Sequence, residues 1–147
     1  MGLLSHEFFS PLARLRDGTC MTKLLIVDDS ALMRKLMRHV LAAEADFEVF
    51  FARDGAEGLE QLVLVSPDVV TLDIQMPVMD GYTATQRIRG ELGSDIPIIA
   101  MTATALIGEQ VRCFEVGMND YMTKPFEFTD LYRRILALSP PVLTAAS

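Results

Sequence analysis

Five polar residues stand directly after short apolar runs. Asp28 and Asp29 follow Leu24-Leu25-Ile26-Val27, Asp73 follows Val69-Val70-Thr71-Leu72, Thr102 follows Ile98-Ile99-Ala100-Met101, and Lys124 follows Tyr121-Met122-Thr123. Open α/β sheets bind ligands beyond the carboxyl ends of such strands. Three carboxylates gathered there would repel and raise one another's pKa values, and a divalent cation removes that conflict. Carboxylates with a backbone carbonyl suit a hard ion that keeps some water, Mg²⁺ rather than zinc. No His or Cys stands near these positions, which also speaks against zinc. A carboxylate can attack phosphorus and become an aspartyl phosphate. That transition state spreads negative charge over the phosphoryl oxygens and needs a metal and a fixed cation more than an acid or base. Lys124 offers the cation, and Thr102 a hydroxyl that can bond a phosphoryl oxygen.

Each residue also has a plainer reading. Asp28-Asp29 can be a helix cap, Thr102 an ordinary strand-end threonine, and Lys124 a solvated lysine. The shared placement of all five favours the chemical reading.

The elements that must position these residues are legible as periodic runs. Residues 23–27 form a continuous apolar stretch, as a strand buried on both faces does. Ser30 or Asp29 can cap the next helix, where Met33, Leu36, Met37, Val40 and Leu41 make an apolar stripe opposite Arg34, Lys35 and Arg38. Residues 47–52 read as a strand broken at Asp54-Gly55. Ala56, Leu59, Leu62 and Val63 then form a second stripe, which Ser66-Pro67-Asp68 ends. The strand of Asp73 runs into a turn containing Met76-Pro77 and Asp80-Gly81. A third helix is expected over 82–91, closed by Gly93, then a strand over 96–101, where Pro97 is tolerable near the start. A fourth helix over 106–116 ends at Gly117, and a short strand over 121–123 meets Lys124-Pro125. The last helix carries Leu131, Tyr132, Ile135, Leu136 and Leu138, stopped by Ser139-Pro140-Pro141. Five strand–helix units imply an α/β domain with a mainly parallel sheet, helices on both faces and right-handed crossovers.

A length of 147 residues favours one core, and 50% hydrophobic residues argue against disorder over most of the chain. A net charge of −7 supplies no basic footprint for direct nucleic-acid binding. Cys20 and Cys113 have no metal spacing and read as reduced thiols of a cytosolic protein. No apolar run spans a membrane, and residues 1–20 lack a signal peptide's apolar core. Met21 precedes the first strand, so the domain is expected over 21–138. Residues 1–20 read as a disordered leader, tag or remnant, and 139–147 as a tail too short for an output domain.

The motifs Val27-Asp28-Asp29-Ser30, Leu72-Asp73-Ile74-Gln75-Met76-Pro77-Val78-Met79-Asp80-Gly81, Met101-Thr102-Ala103 and Tyr121-Met122-Thr123-Lys124-Pro125-Phe126 resemble, in order and placement, the receiver domain of two-component response regulators. The likeness covers residues 22–138. It implies a doubly wound (βα)5 flavodoxin-like three-layer sandwich of sheet order 2-1-3-4-5. It implies Asp73 as phosphoacceptor, Asp29, Asp73 and the Gln75 carbonyl as Mg²⁺ ligands, and Asp28 acting through a bound water. Lys124 then pairs with phosphate, Thr102 is the switch hydroxyl, and Tyr121 is a half-buried aromatic that follows it inward. The N–H groups of Ile74 and Ala103 become phosphate donors, Gln75 and Thr104 tune phosphate loss, and Lys124–Pro125 is cis. The implied partners are a histidine kinase or histidine phosphotransfer protein and a downstream protein target, met through the fourth helix, fifth strand and fifth helix. A monomer and a homodimer through that face both remain open.

Met76-Pro77-Val78-Met79-Asp80-Gly81-Tyr82 and Ile98-Ile99-Ala100-Met101-Thr102-Ala103 are most similar to receivers of hybrid sensor kinases. The leader segment around His6 resembles a kinase phosphoacceptor-histidine box but departs at Phe9. The isolated chain is then no enzyme beyond its own phosphorylation and dephosphorylation, unless it is a fragment of such a kinase. The competing class is a receiver-like interaction module that ignores phosphate. Such modules usually lack the aspartate, the lysine or the acidic pair, all present here. A haloacid-dehalogenase-type phosphatase needs a second Asp two residues after the first, where this chain has Gln75. Outside the site, His39 is expected on the surface and Cys113 in the core or an interface. The nine methionines are expected mostly in the core, with Met118 and Met122 as candidates for an adaptable docking face.

Overall fold

The computed structural model describes residues 15–16, 19–44 and 46–139. Five strands form one parallel sheet: β1 (Thr22–Val27), β2 (Phe47–Ala52), β3 (Val69–Asp73), β4 (Ile98–Thr102) and β5 (Asp120–Thr123). Their order is β2-β1-β3-β4-β5, as expected. The central β3 and β4 are buried along their whole lengths, the burial that continuous apolar runs record.

Side-chain alternation divides the core in two. Leu25, Val27, Val70, Leu72, Ile98 and Ala100 point into one cluster with Leu62, Tyr82, Ile88 and Cys113. Leu24, Ile26, Val69, Ile99 and Met101 point into the other with Met37, Leu41, Leu131 and Ile135. Helices α2 (Gly55–Val65), α3 (Gly81–Gly90) and α4 (Ile107–Val116) therefore cover the first face, and α1 (Ala31–Leu41) and α5 (Phe128–Leu138) the second.

Three helices start on side-chain caps. Ser30, Asp54 and Asp80 accept the N–H groups of Met33, Glu57 and Thr83. Helix α4 starts at Leu106 and α5 at Glu127 without one. Gly117 ends α4 at φ +111°, a conformation that side chains with a Cβ rarely adopt.

Some expectations need correcting. Leu36 and Val63 sit at apolar-stripe spacing yet are exposed. In α2 the inward places belong to Gly55, Gly58 and Leu62; at Gly58 the helix backbone lies close on β1, and a Cβ there would stand 3.1 Å from Val27. Met118 and Met122 are core residues rather than surface ones, because β5 and the turn before it turn them inward. The strand expected over 96–101 begins at Ile98, which makes Thr102 its last residue. Leu15–Arg16 and Thr19–Cys20 pair antiparallel, so regular structure begins before Met21. Residues 1–14, with the His6 motif, and the tail over 140–147 lie outside the described residues. Cys113 is buried and His39 exposed, as expected. No helix among the described residues is long and apolar enough to cross a membrane.

Candidate functional site

The parallel registers assemble the rim of the sheet. Val27 pairs with Leu72, Asp73 with Met101, and Thr102 with Thr123. Asp28 and Lys124 each follow the last paired residue of a strand. Asp28, Asp73, Thr102 and Lys124 thus reach one edge through backbone pairing.

Asp28, Asp29 and Asp73 each bring a carboxylate oxygen within 4.8 Å of the others, with Asp28 and Asp73 buried and Asp29 exposed. The Lys124 ammonium lies 3.1 Å from Asp28 Oδ2 and 3.5 Å from Asp73 Oδ1. Asp28 Oδ1 accepts the Ser30 N–H at 2.9 Å, which ties that carboxylate to the first turn of α1. Burial pushes the Asp73 carboxyl up to about 6; Lys124 opposes the rise, while Asp28 and Asp29 add to it. A compact, charged, oxygen-rich cluster with one exposed member fits a hard divalent ion.

The loop after Asp73 is held by close backbone packing. The Gly81 N–H donates to the Ile74 carbonyl at 2.8 Å, and a Cβ on Gly81 would stand 2.7 Å from the Asp73 carbonyl oxygen. Gly55 presses on the same loop, where a Cβ would stand 2.7 Å from the Met79 carbonyl oxygen. Val78, at the loop's tip, is held at φ +70°, a costly conformation for a β-branched residue. Ile74 departs from expectation. Its N–H donates to the Met101 carbonyl at 3.0 Å as part of the sheet, so it has no free donor for a phosphate. The next N–H, that of Gln75, has no such partner among the described residues.

Thr102 is buried, and its hydroxyl does not face the carboxylates. It donates to Glu109 Oε1 on α4 and accepts the Thr104 N–H at 3.2 Å. The half-buried Tyr121 donates its hydroxyl to the Thr104 carbonyl. The Lys124–Pro125 bond is cis, as expected. Glu109 was missed by sequence reasoning. It lies in the first turn of α4 with no motif around it, and only the setting of α4 against the tip of β4 gives it a role.

The family model described as "Response regulator receiver domain" matches residues 24–136. The chain belongs to this family. A probable transcriptional regulator of Guillardia theta is 43% identical to the receiver over 116 residues, covering 79% of this chain and 44% of the relative. The chain spans about half the length of the curated relatives it matches. Among solved structures, the chemotaxis protein CheY4 of Vibrio cholerae superposes with a TM-score of 0.75 at 29% identity, covering 81% of this chain and 99% of that one. The receiver of the sensor histidine kinase PA1611 from Pseudomonas aeruginosa gives 0.72 at 33% identity, covering 81% and 98%. That structure holds a magnesium ion coordinated in its active-site cleft.

Proposed function

We propose that the receiver is a phosphorylation-driven switch with Asp73 as its acceptor. The observation that carries this is the cluster of three carboxylates at the rim, two of which, Asp28 and Asp73, face Lys124. Asp29, Asp73 and the Gln75 carbonyl would hold Mg²⁺, with Asp28 acting through a bound water. When bound, the ion offsets carboxylate repulsion and the charge gathering on the phosphoryl oxygens. An Asp73 carboxylate oxygen attacks phosphorus in line. The P–N bond of a partner's phosphohistidine breaks, and its electron pair returns to the imidazole nitrogen. Lys124 then pairs with a phosphoryl oxygen, and Thr102 and the Ala103 N–H donate to others. Gln75 and Thr104 flank the phosphoryl group and set how readily water removes it.

The new bonds exist in one state only, so they can shift an equilibrium. Thr102 moves toward phosphate, Tyr121 follows, and the face made by α4, β5 and α5 changes shape. The phosphodonor is a histidine kinase, a histidine phosphotransfer protein or a small phosphodonor, and the output is a protein target met at that face. The setting is cytoplasmic, with no direct contact to nucleic acid by this chain. Acetyl phosphate with Mg²⁺ should label the wild type once and leave Asp73→Asn and Asp73→Ala unlabelled, read by intact-protein mass spectrometry. Full labelling of either variant would refute the site.

A further inference from the structure

We propose that Glu109 is a positioning residue that holds the Thr102 hydroxyl in reserve, competing for it with a phosphoryl group on Asp73. This rests on the reading of Asp73 above. A threonine hydroxyl has one proton to donate. Here that proton goes to Glu109 Oε1 at 2.5 Å, the length of a charge-assisted O–H···O⁻ bond. One of its two acceptor lone pairs takes the Thr104 N–H.

The direction follows from the strand. Ile98 and Ala100 point into the core under α2, α3 and α4, and Thr102 has the same parity on β4. Asp73 has the parity of Val69, which points to the α1 and α5 side. The pleat therefore aims Thr102 at α4, and a phosphoryl group draws the hydroxyl only by taking it from Glu109. The surroundings of Glu109 can receive its released carboxylate. The Arg112 guanidinium lies 4.0 Å from the Tyr82 ring centre, one helical turn further along α4. Burial raises the Tyr82 and Tyr121 hydroxyl pKa values, and the charge of Glu109 raises both further.

The same bond ties the tip of β4 to the first turn of α4, which has no side-chain cap of its own. Losing it loosens that helix end. Phosphoryl binding is thereby weakened by the fraction of molecules whose hydroxyl is engaged, and its energy is spent where the output face begins.

Beryllofluoride, a non-covalent phosphoryl mimic, tests this when titrated with Mg²⁺ and followed by fluorine NMR. Glu109→Ala should bind it about tenfold tighter than the wild type, about 1.4 kcal/mol. Glu109→Gln, which keeps a neutral acceptor and the side chain's shape, should bind with intermediate affinity. Thr102→Ala should weaken binding, and adding Glu109→Ala to it should change nothing further. Equal affinity in the wild type and both Glu109 variants would overturn the proposal. So would the same tightening in the Thr102→Ala background, which would mean simple removal of a negative charge. A wild type that binds no beryllofluoride would overturn the reading of Asp73 and this proposal with it. A wild type that binds, with Glu109 variants that match it, would overturn this proposal alone.

Discussion

Between the carboxylate rim at β1 and β3 and the hydroxyl arm at β4 and α4, the difference lies in what fixes each side chain. The rim is set by backbone. Two strand pairings place it, Ser30 caps the helix beside it, and Gly81 and Gly55 press its loop where no Cβ would fit. The arm is held by side-chain bonds: Thr102 donates to Glu109 on a helix without a side-chain cap, and Tyr121 donates to the Thr104 carbonyl in the loop between them. That helix buries Cys113 and exposes Leu106, Ile107, Val111 and Phe114. A rim of this kind keeps its ligands in place before anything binds, which spares the cost of ordering them. An arm held by side-chain bonds can be captured by a ligand that offers the Thr102 hydroxyl a better acceptor. In the proposed switch, one sheet edge thus carries a fixed site and a releasable reporter.

The contrast breaks first at glycines. Gly81→Ala drives a Cβ into the Asp73 carbonyl and should cost about 2–4 kcal/mol in urea unfolding, with weakened Mg²⁺ binding. Unchanged stability would mean that the rim is not held by crowding.

The second test is pH. The Asp73 carboxyl is raised from 3.8 to about 6, so the folded protein binds that proton more tightly than the unfolded chain does. Its contribution is therefore fully present below about pH 4 and is lost as pH rises through 6. Metal-free protein should lose on the order of 2 kcal/mol across that window. Asp73→Asn should flatten the profile, and saturating Mg²⁺ should make stability rise with pH, since the ion favours the ionised carboxylates. A metal-free wild type with a flat profile would deny that burial, with the neighbouring carboxylates, raises Asp73.

The smallest expected effect lies on the arm. Gly108, in the first turn of α4, has open space where a Cβ would stand. Gly108→Ala should stabilise the protein by about 0.5–1 kcal/mol, read as a higher Tm. Substitution by alanine would then have opposite signs on the two sides.

The rim was legible in the sequence because a buried parallel strand reads as an unbroken apolar run, and each rim residue directly follows one or, for Asp29, one residue later. The order β2-β1-β3-β4-β5 came from the family likeness, since alternating units alone leave strand order open. The arm was half legible. Thr102 and Tyr121 stand in motifs, but the partner of Thr102 depends on how α4 rolls against β4, which hydrophobic spacing does not encode. Spacing also misplaced Leu36 on α1 and Val63 on α2; α2 packs partly by its glycines, and a glycine is silent in an apolar pattern. The N–H of Ile74 looked free for phosphate, and only the ladder between β3 and β4 shows where it goes.

Amide NMR spectra recorded in sequence, first metal-free, then with Mg²⁺, then with beryllofluoride added, would test the division most directly. Mg²⁺ alone should shift the amides of residues 28–30 and 73–76 and leave α4 still; beryllofluoride should then move residues 102–117 while α1 and α2 keep their positions. Amides at 28, 29 and 73 that ignore Mg²⁺, or an α4 that moves as soon as Mg²⁺ is added, would contradict a fixed rim coupled to a releasable arm.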